Sequence, residues 1–337
     1  MNKYLYSLFL CVLVTVVSAQ NRTKYFEMDY RGKKIDNSLY NTIKFIDSRE
    51  DTSNMGIVRT GALNKEAFVK INGSFSDQFS DLLLKITGEA PQQKELLFQL
   101  RRLKFVEKTD ESHEYGYCFF RANLFASSNN AYNLISVVDT FIIVESKDVT
   151  NSIIEETNKA ITDFLKDALT KKINTASILS LNEIVKIDSI EKLKIKVYNV
   201  SEYTNGIYRT FESFKAQVPD YNLFSITFED GEISGIKAKN KKEKIKNIKS
   251  DDVYAIVNNG KPYVSAKFGF YPLVKNNNDF YFIADDKLHF IKGQIATSNS
   301  IFSSTEYVYS PMPVTSMFEI KIDHVNGKFM RVREVKN

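Results

Sequence analysis

Apolar positions change their period along the chain. In the first half, Phe75, Phe79, Leu82, Leu83 and Ile86 recur every three or four residues, which puts them on one face of an amphipathic helix. Pro91 suits a first helical turn, and Leu96, Leu97, Leu100 and Leu103 follow it. Their spacing predicts a second helix. Residues 43–46 read as a strand, with a polar loop over 47–54. Residues 115–125 are rich in aromatics and 134–144 are apolar almost throughout. With Ser127-Ser128-Asn129-Asn130 between them, they read as a hairpin. The second strand lacks alternation, so both its faces are expected to be covered. Ile153, Thr157, Ala160, Ile161, Phe164, Leu165, Ala168 and Leu169 form the longest helical stripe. Ser152 and Glu155 are placed to cap its start, and Lys171 and Lys172 to complement its end. This helix is expected to lie across the hairpin.

The second half reads differently. Residues 192–198 alternate strictly, as a half-buried strand does. Asp230-Gly231, Asn259-Gly260 and Asn326-Gly327 are two-residue hairpin turns by chemistry, because these residues tolerate positive φ. Strands are predicted at 224–228, 253–257, 263–268, 280–283, 318–322 and 329–332. A short helix is predicted over 211–217, capped by Thr210 and stopped before Pro219. The fold class is therefore α+β. An N-terminal α/β sandwich-like domain over 20–175 is followed by a mainly antiparallel β domain over 176–337.

Residues 1–19 read as a signal peptide, with Lys3 before an apolar core and Val17-Ser18-Ala19 at the cleavage site. Cys11 lies inside the apolar core behind Leu10, which does not suit a lipoprotein signal. Among the 337 residues there are 46 Lys and Arg against 41 Asp and Glu, a net charge of +5. Cleavage removes Lys3 and no acid, which leaves +4 (5 − 1) and a weak electrostatic bias. It also leaves Cys118 as a single thiol, read as a small buried strand residue. The expected location is the periplasm or outer surface of a Gram-negative cell, or the medium. No later stretch reaches transmembrane length, and the internal helices fit an outer-membrane barrel badly.

Catalytic signatures are missing from the sequence. It contains no HExxH, no GxSxG, no P-loop and no dinucleotide glycine pattern. His113, His289 and His324 have no second ligand at metal spacing, so no metal or cofactor is expected. His113 and Cys118 would fall on opposite faces of one strand. Asp139 interrupts an apolar run, and a buried carboxylate needs a partner. Arg121 sits nearly opposite Val137 and diagonal to Asp139 across the expected hairpin. An Arg121–Asp139 structural ion pair is predicted. Asp47 and Arg49 form a further candidate pair in the loop after a strand. The densest charge run holds Lys237, Lys239, Lys241, Lys242, Lys244, Lys246 and Lys249 against Glu243 alone. Lys239, Lys241, Lys242, Lys244 and Lys246 are candidates for contact with an anionic surface; the other reading is a solvated loop that discourages edge pairing. No aromatic interleaves them, so nucleic acid is not an expected partner. Phe268, Phe270, Tyr271, Phe280, Tyr281, Phe282, Tyr307 and Tyr309 would form either an exposed binding strip or the packing between two β layers.

Two stretches resemble known families. Ile43-Lys44-Phe45-Ile46-Asp47-Ser48-Arg49, followed by Met55-Gly56-Ile57, resembles the opening of small envelope lipoproteins that assist bacterial transport systems. That likeness is a hint of fold. Residues 206–215, followed by Val253-Tyr254-Ala255, Gly260-Lys261-Pro262-Tyr263-Val264 and Asp279-Phe280-Tyr281-Phe282, resemble a pattern in an uncharacterised secreted family of Bacteroidota. This implies a Gram-negative envelope setting and brings no catalytic residues. The expectation is an exported, non-enzymatic protein that binds or scaffolds a protein or envelope component. The alternative is a secreted hydrolase whose site is assembled from scattered carboxylates and Tyr.

Overall fold

The computed structural model describes residues 22–61, 64–87, 94–109, 114–128, 131–146, 148–172, 178–239, 243–266, 269–285 and 317–335. The expectations for 1–19, His113, His289, Lys241, Lys242, Phe268, Tyr307 and Tyr309 fall outside them. Strands dominate, and the class is mixed α+β.

The first sheet has eight strands: β1 (Arg22–Phe26), β2 (Tyr40–Asp47), β3 (Gly56–Thr60), β4 (Lys65–Ile71), β5 (Lys94–Thr109), β6 (Glu114–Ser128), β7 (Ala131–Glu145) and β8 (Ile178–Leu179). β5, β6 and β7 form a long antiparallel meander. The start of β5 pairs in parallel with β2, and its far end with β3. The handover between β2 and β3 depends on Gly56, which has φ 99° and whose Cβ would lie 2.0 Å from the Phe105 carbonyl. Only glycine fits there.

Helices α1 (Phe75–Thr87) and α2 (Val149–Leu169) cover one face of this sheet. The stripes read from the sequence are the buried ones: Phe79, Leu82, Leu83 and Ile86 on α1, and Ile153, Ile161, Leu165 and Leu169 on α2. The Phe79 and Phe98 ring centroids lie 4.1 Å apart, and the Phe164 edge meets both Phe98 and Phe120. The cap of α2 differs from the expected one. Asp148 is the N-cap and accepts from the Asn151 N–H, while the Ser152 hydroxyl donates back to the Asp148 carbonyl.

The predicted second helix is a correction, because residues 96–103 lie in β5. This strand is central and has both faces buried, so it carries apolar residues on both sides. A bulge between Leu100 and Arg102 then shifts the alternation by one residue. It brings Leu103 onto the same face as Leu96, Phe98 and Leu100, at a spacing from Leu100 that imitates a helix.

The first sheet also extends past residue 175. β8 pairs with β7 at Tyr132 and Asn133. On the face away from α2, Leu97, Phe125 and Tyr132 pack against Ile184. Three short helices follow: α3 (Leu181–Val185), α4 (Ile187–Leu193) and α5 (Lys196–Asn199). They replace the strand expected over 192–198. Asn199 explains the change, since its side-chain amide donates to the carbonyls of Lys192, Leu193 and Ile195. Local bonds of this kind compete with a strand ladder.

The remaining chain holds β9 (Gly206–Tyr208), α6 (Phe211–Ala216), β10 (Asn222–Glu229), β11 (Glu232–Lys239), β12 (Ile245–Asn247), β13 (Ala255–Asn258), β14 (Lys261–Ala266), β15 (Gly269–Pro272), β16 (Val274–Asn276), β17 (Asp279–Asp285), β18 (Met317–Ile322) and β19 (Phe329–Val335). These strands build three antiparallel sheets, β10-β11-β12, β15-β14-β13-β9 and β16-β17-β18-β19. The middle sheet is buried on both sides. Tyr208, Val257 and Val264 meet Phe280, Phe282, Phe318 and Phe214 on one face. Ile207, Ile256 and Phe270 meet Ile236 and Ala238 on the other. Thr210 caps α6 as expected.

Asp230-Gly231 and Asn259-Gly260 turn with positive φ at both positions, which is the tight hairpin geometry. Asn326-Gly327 does not make a two-residue turn. The connection spans 323–328 and is closed by bonds from Gly327 N–H to the Asp323 carbonyl and from Asp323 N–H to the Lys328 carbonyl, both 2.8 Å.

Candidate functional site

The same β5 bulge that shifts the apolar pattern also directs polar groups. Arg102 pairs in register with Arg121, and Arg121 with Asp139. A row of three charges therefore crosses β5, β6 and β7 on the face away from α2. Two guanidiniums side by side repel each other unless an anion joins them. Asp323, at the start of the 323–328 loop, supplies it. Its side chain is fully buried. Arg121 Nη1 and Nη2 donate to Asp323 at 3.1 and 2.8 Å, and Arg102 Nη2 lies 2.6 Å from the same carboxylate.

Arg121 also donates Nε and Nη2 to Asp139 at 3.0 and 2.9 Å. The predicted partners are thus in contact. They sit directly opposite rather than diagonally, because the hairpin closes one residue further on, at Ser128 and Ala131, and the register shifts by one more at Leu124/Phe125. Asn326 Nδ2 donates to Asp139 at 2.9 Å, and Val325 N–H to Asp323 at 2.9 Å. The four formal charges of Arg102, Arg121, Asp139 and Asp323 cancel. Burial opposes the charge on Asp323, but Arg102 and Arg121 overcome it and hold the carboxyl well below its ordinary 3.8. Ionisation of Arg121 is likewise opposed by burial, and Asp323 and Asp139 outweigh it and raise its pKa above the ordinary guanidinium range.

Arg101, the residue at the bulge, extends the network to α4. Its guanidinium donates to Asp188 and to Glu191, the latter at 3.0 and 2.5 Å. His324 Nε2 lies 2.9 Å from Glu191. Asp188, Glu191 and His324 bring ligand atoms within 4.8 Å of one another. Metal spacing alone would admit a cation here, yet Arg101 is already among them as the cation. Burial opposes ionisation of Glu191, and His324 and Arg101 outweigh it, leaving its pKa at about 2. On the other flank, Asp279 bridges Lys192 at 2.7 Å and Lys321 at 3.0 Å, and Lys321 reaches Glu50 at 3.0 Å.

Chemically, this arrangement is a latch. Glu191 and Asp323 are driven down, away from neutrality, and guanidiniums exchange no protons at neutral pH. Neither serves as a general acid or base. The Cys118 thiol lies buried on the α2 side of the sheet, where burial pushes it up to about 12. That suits a packed core residue rather than a nucleophile.

The other sequence candidates fall in separate places. Arg49 grips Asp47 at 2.8 and 2.7 Å and donates to the Asn54 carbonyl, a local loop clasp. Phe270, Phe280 and Phe282 are core, which is the packing alternative of the two readings at those positions. Lys239 is paired with Glu243 at 2.7 Å. Lys246 points to the opposite side of its strand from Lys239, with its ammonium 3.9 Å from the centre of the Tyr221 ring. Lys244 is exposed. A polar hollow of about 570 Å³ lies beside α2. In it Lys85 and Arg31 both bind Asp29 and hold that carboxyl at about 2.

The sequence reading missed Arg101, Arg102, Glu191 and Asp323. Its only signals were an Arg pair inside an apolar run and Asp323-His324 directly after an apolar strand.

No protein-family model and no curated protein matches the chain. A solved Xanthomonas campestris protein of the DUF330 family is similar over 44% of this chain and 90% of its own, at 10% identity and a TM-score of 0.26. Among the described residues, no helix is long and apolar enough to cross a membrane.

Proposed function

We propose that this chain is an exported, non-enzymatic envelope protein, processed after Ala19, that binds or scaffolds a protein or envelope partner. The observation that supports the reading is the saturated latch. Its buried charges are spent on each other and join the large sheet to α4 and the 323–328 loop, which makes a rigid body rather than a reaction centre. The two-unit division belongs to the same proposal. Ile184 and Ile187 pack on the first sheet while Val197 and Tyr198 enter the β core, which supports drawing the border between units after α4.

Affinity capture of the tagged full chain from native envelope tests this, with fractionation into periplasm, outer membrane and medium. The expected result is a processed chain in one envelope-associated complex. Recovery in the cytoplasm, or hydrolysis of any substrate that is lost in Glu191→Gln, would overturn it.

A further inference from the structure

The three-stranded sheet β10-β11-β12 displays a face that the latch does not use. Ile236 and Ala238 point inward to the core. Strand alternation therefore turns Lys237 and Lys239 outward. The register of β12 puts Ile245 opposite Lys239 and Asn247 opposite Lys237, on the same outer face. On β10, a bulge between Leu223 and Ser225 extrudes Phe224, and the Lys239 ammonium lies 5.7 Å from the Phe224 ring centre. Phe224 is 48% exposed and Ile245 51%. Two large apolar side chains thus stand in water beside lysines, an arrangement that costs hydrophobic free energy if left bare.

Charge complementarity selects the occupant. Between residues 233 and 250 there are Lys237, Lys239, Lys241, Lys242, Lys244, Lys246 and Lys249, and Glu243 is the single carboxylate. The acids of this hairpin, Glu229, Asp230 and Glu232, gather at the far tip. We propose that this outer face docks on an anionic lipid bilayer, with Phe224 and Ile245 entering the interface and Lys237 and Lys239 meeting the headgroups. The acidic tip, with Phe228 next to it, lies at the other end of the β10-β11 hairpin. Apolar side chains ringed by basic ones are what interfacial binding requires, because insertion and headgroup attraction add. This inference rests on the reading of the chain as an exported envelope-binding protein and names the component it touches.

The chain has no tryptophan, so single Trp residues report each position without background. Phe224→Trp, Ile245→Trp and Phe228→Trp are made in the full processed chain. They are mixed with vesicles of phosphatidylcholine, with or without phosphatidylglycerol. Trp at 224 and at 245 is expected to shift to the blue and to be quenched by brominated lipid only on the anionic vesicles, while Trp at 228 stays water-like. Lys237→Glu with Lys239→Glu should weaken co-sedimentation of the chain at least about tenfold. High salt should weaken it too.

Lys239 is half-buried and the other positions are exposed, and unchanged far-ultraviolet circular dichroism checks the fold. The proposal is overturned by no shift at 224 and 245, by equal shifts on neutral vesicles, or by heparin binding without insertion. Failure on vesicles alongside capture in an envelope protein complex would remove the lipid surface and leave the proposed function standing.

Discussion

The Arg121 guanidinium holds the Asp323 carboxylate through two hydrogen bonds, at 3.1 and 2.8 Å, across 202 positions of chain. Both side chains are almost wholly shielded from water, at 5% and 0% exposure. The contact fastens the 323–328 loop to the centre of the large sheet. Asp323→Asn keeps the shape and removes the charge, leaving Arg102 and Arg121 facing each other without their anion. It should cost about 3–5 kcal/mol, the usual penalty for breaking a buried pair from one side. Asp139→Asn should cost less, because Asp139 is 29% exposed and water takes up part of the loss. Urea unfolding of both variants measures the difference. Equal costs would show that burial does not set the strength of the latch.

The latch also carries a pH dependence with a defined sign. Glu191 and Asp323 have folded pKa values depressed from 4.5 and 3.8, Glu191 to about 2. Such groups contribute stability that is fully present above their unfolded values and lost as pH falls through their folded ones. Stability should therefore be flat above about pH 5 as far as these two groups act, and should fall steeply below it. Glu191→Gln should start lower at pH 7 and show a shallower decline between about pH 4.5 and 2. Urea midpoints across that window check it. A wild-type curve parallel to the Glu191→Gln curve would exclude Glu191 as a source of the slope.

Much of the helix pattern was legible because α1 and α2 each bury one stripe and expose the rest, which is the condition under which a 3.6-residue period survives in sequence. β5 escaped because it is buried on both faces and bulged at Arg101. Both circumstances erase a period of two, and the second inserts a false period of three. The Arg121–Asp139 contact was legible because both partners lie on adjacent strands joined by a short turn. Asp323 was not, since its one local signal, a place beside His324 after an apolar strand, does not say which residue it meets. Its role is set by a contact 202 positions away, and a single sequence holds no record of such pairings.

Two glycines with similar backbones separate conformational cost from packing cost. Gly231 has φ 85° and no atom within 4 Å of where an alanine methyl would sit, whereas Gly327 has φ 73° and would place that methyl 2.3 Å from the Phe211 ring. Gly231→Ala should cost about 1 kcal/mol, the strain of positive φ alone. Gly327→Ala adds a clash with a core aromatic and should cost about 1–3 kcal/mol more. It should also loosen the 323–328 loop, so hydrogen exchange at Val325 and Gly327 should rise in Gly327→Ala and stay unchanged in Gly231→Ala. Matching thermal midpoints for the two variants would rule out the Phe211 contact as a constraint on the loop.

Cys118 offers a reporter of the large sheet itself. Its side chain is buried beneath α2 and its pKa is raised to about 12, so the reactive thiolate is scarce and sheltered in the folded state. In the unfolded chain the thiol returns to an ordinary value and to water. A disulfide reagent such as dithionitrobenzoate should then leave Cys118 unmodified in the native protein at about pH 8 and react with it quickly in denaturant. Under native conditions the labelling rate measures how often the sheet opens. Asp323→Asn weakens the latch on the opposite face of the sheet, so it should speed labelling if the latch and the α2 face open together. Unchanged labelling in a variant whose urea midpoint has fallen would mean that the 323–328 loop detaches while the sheet and its helices remain closed.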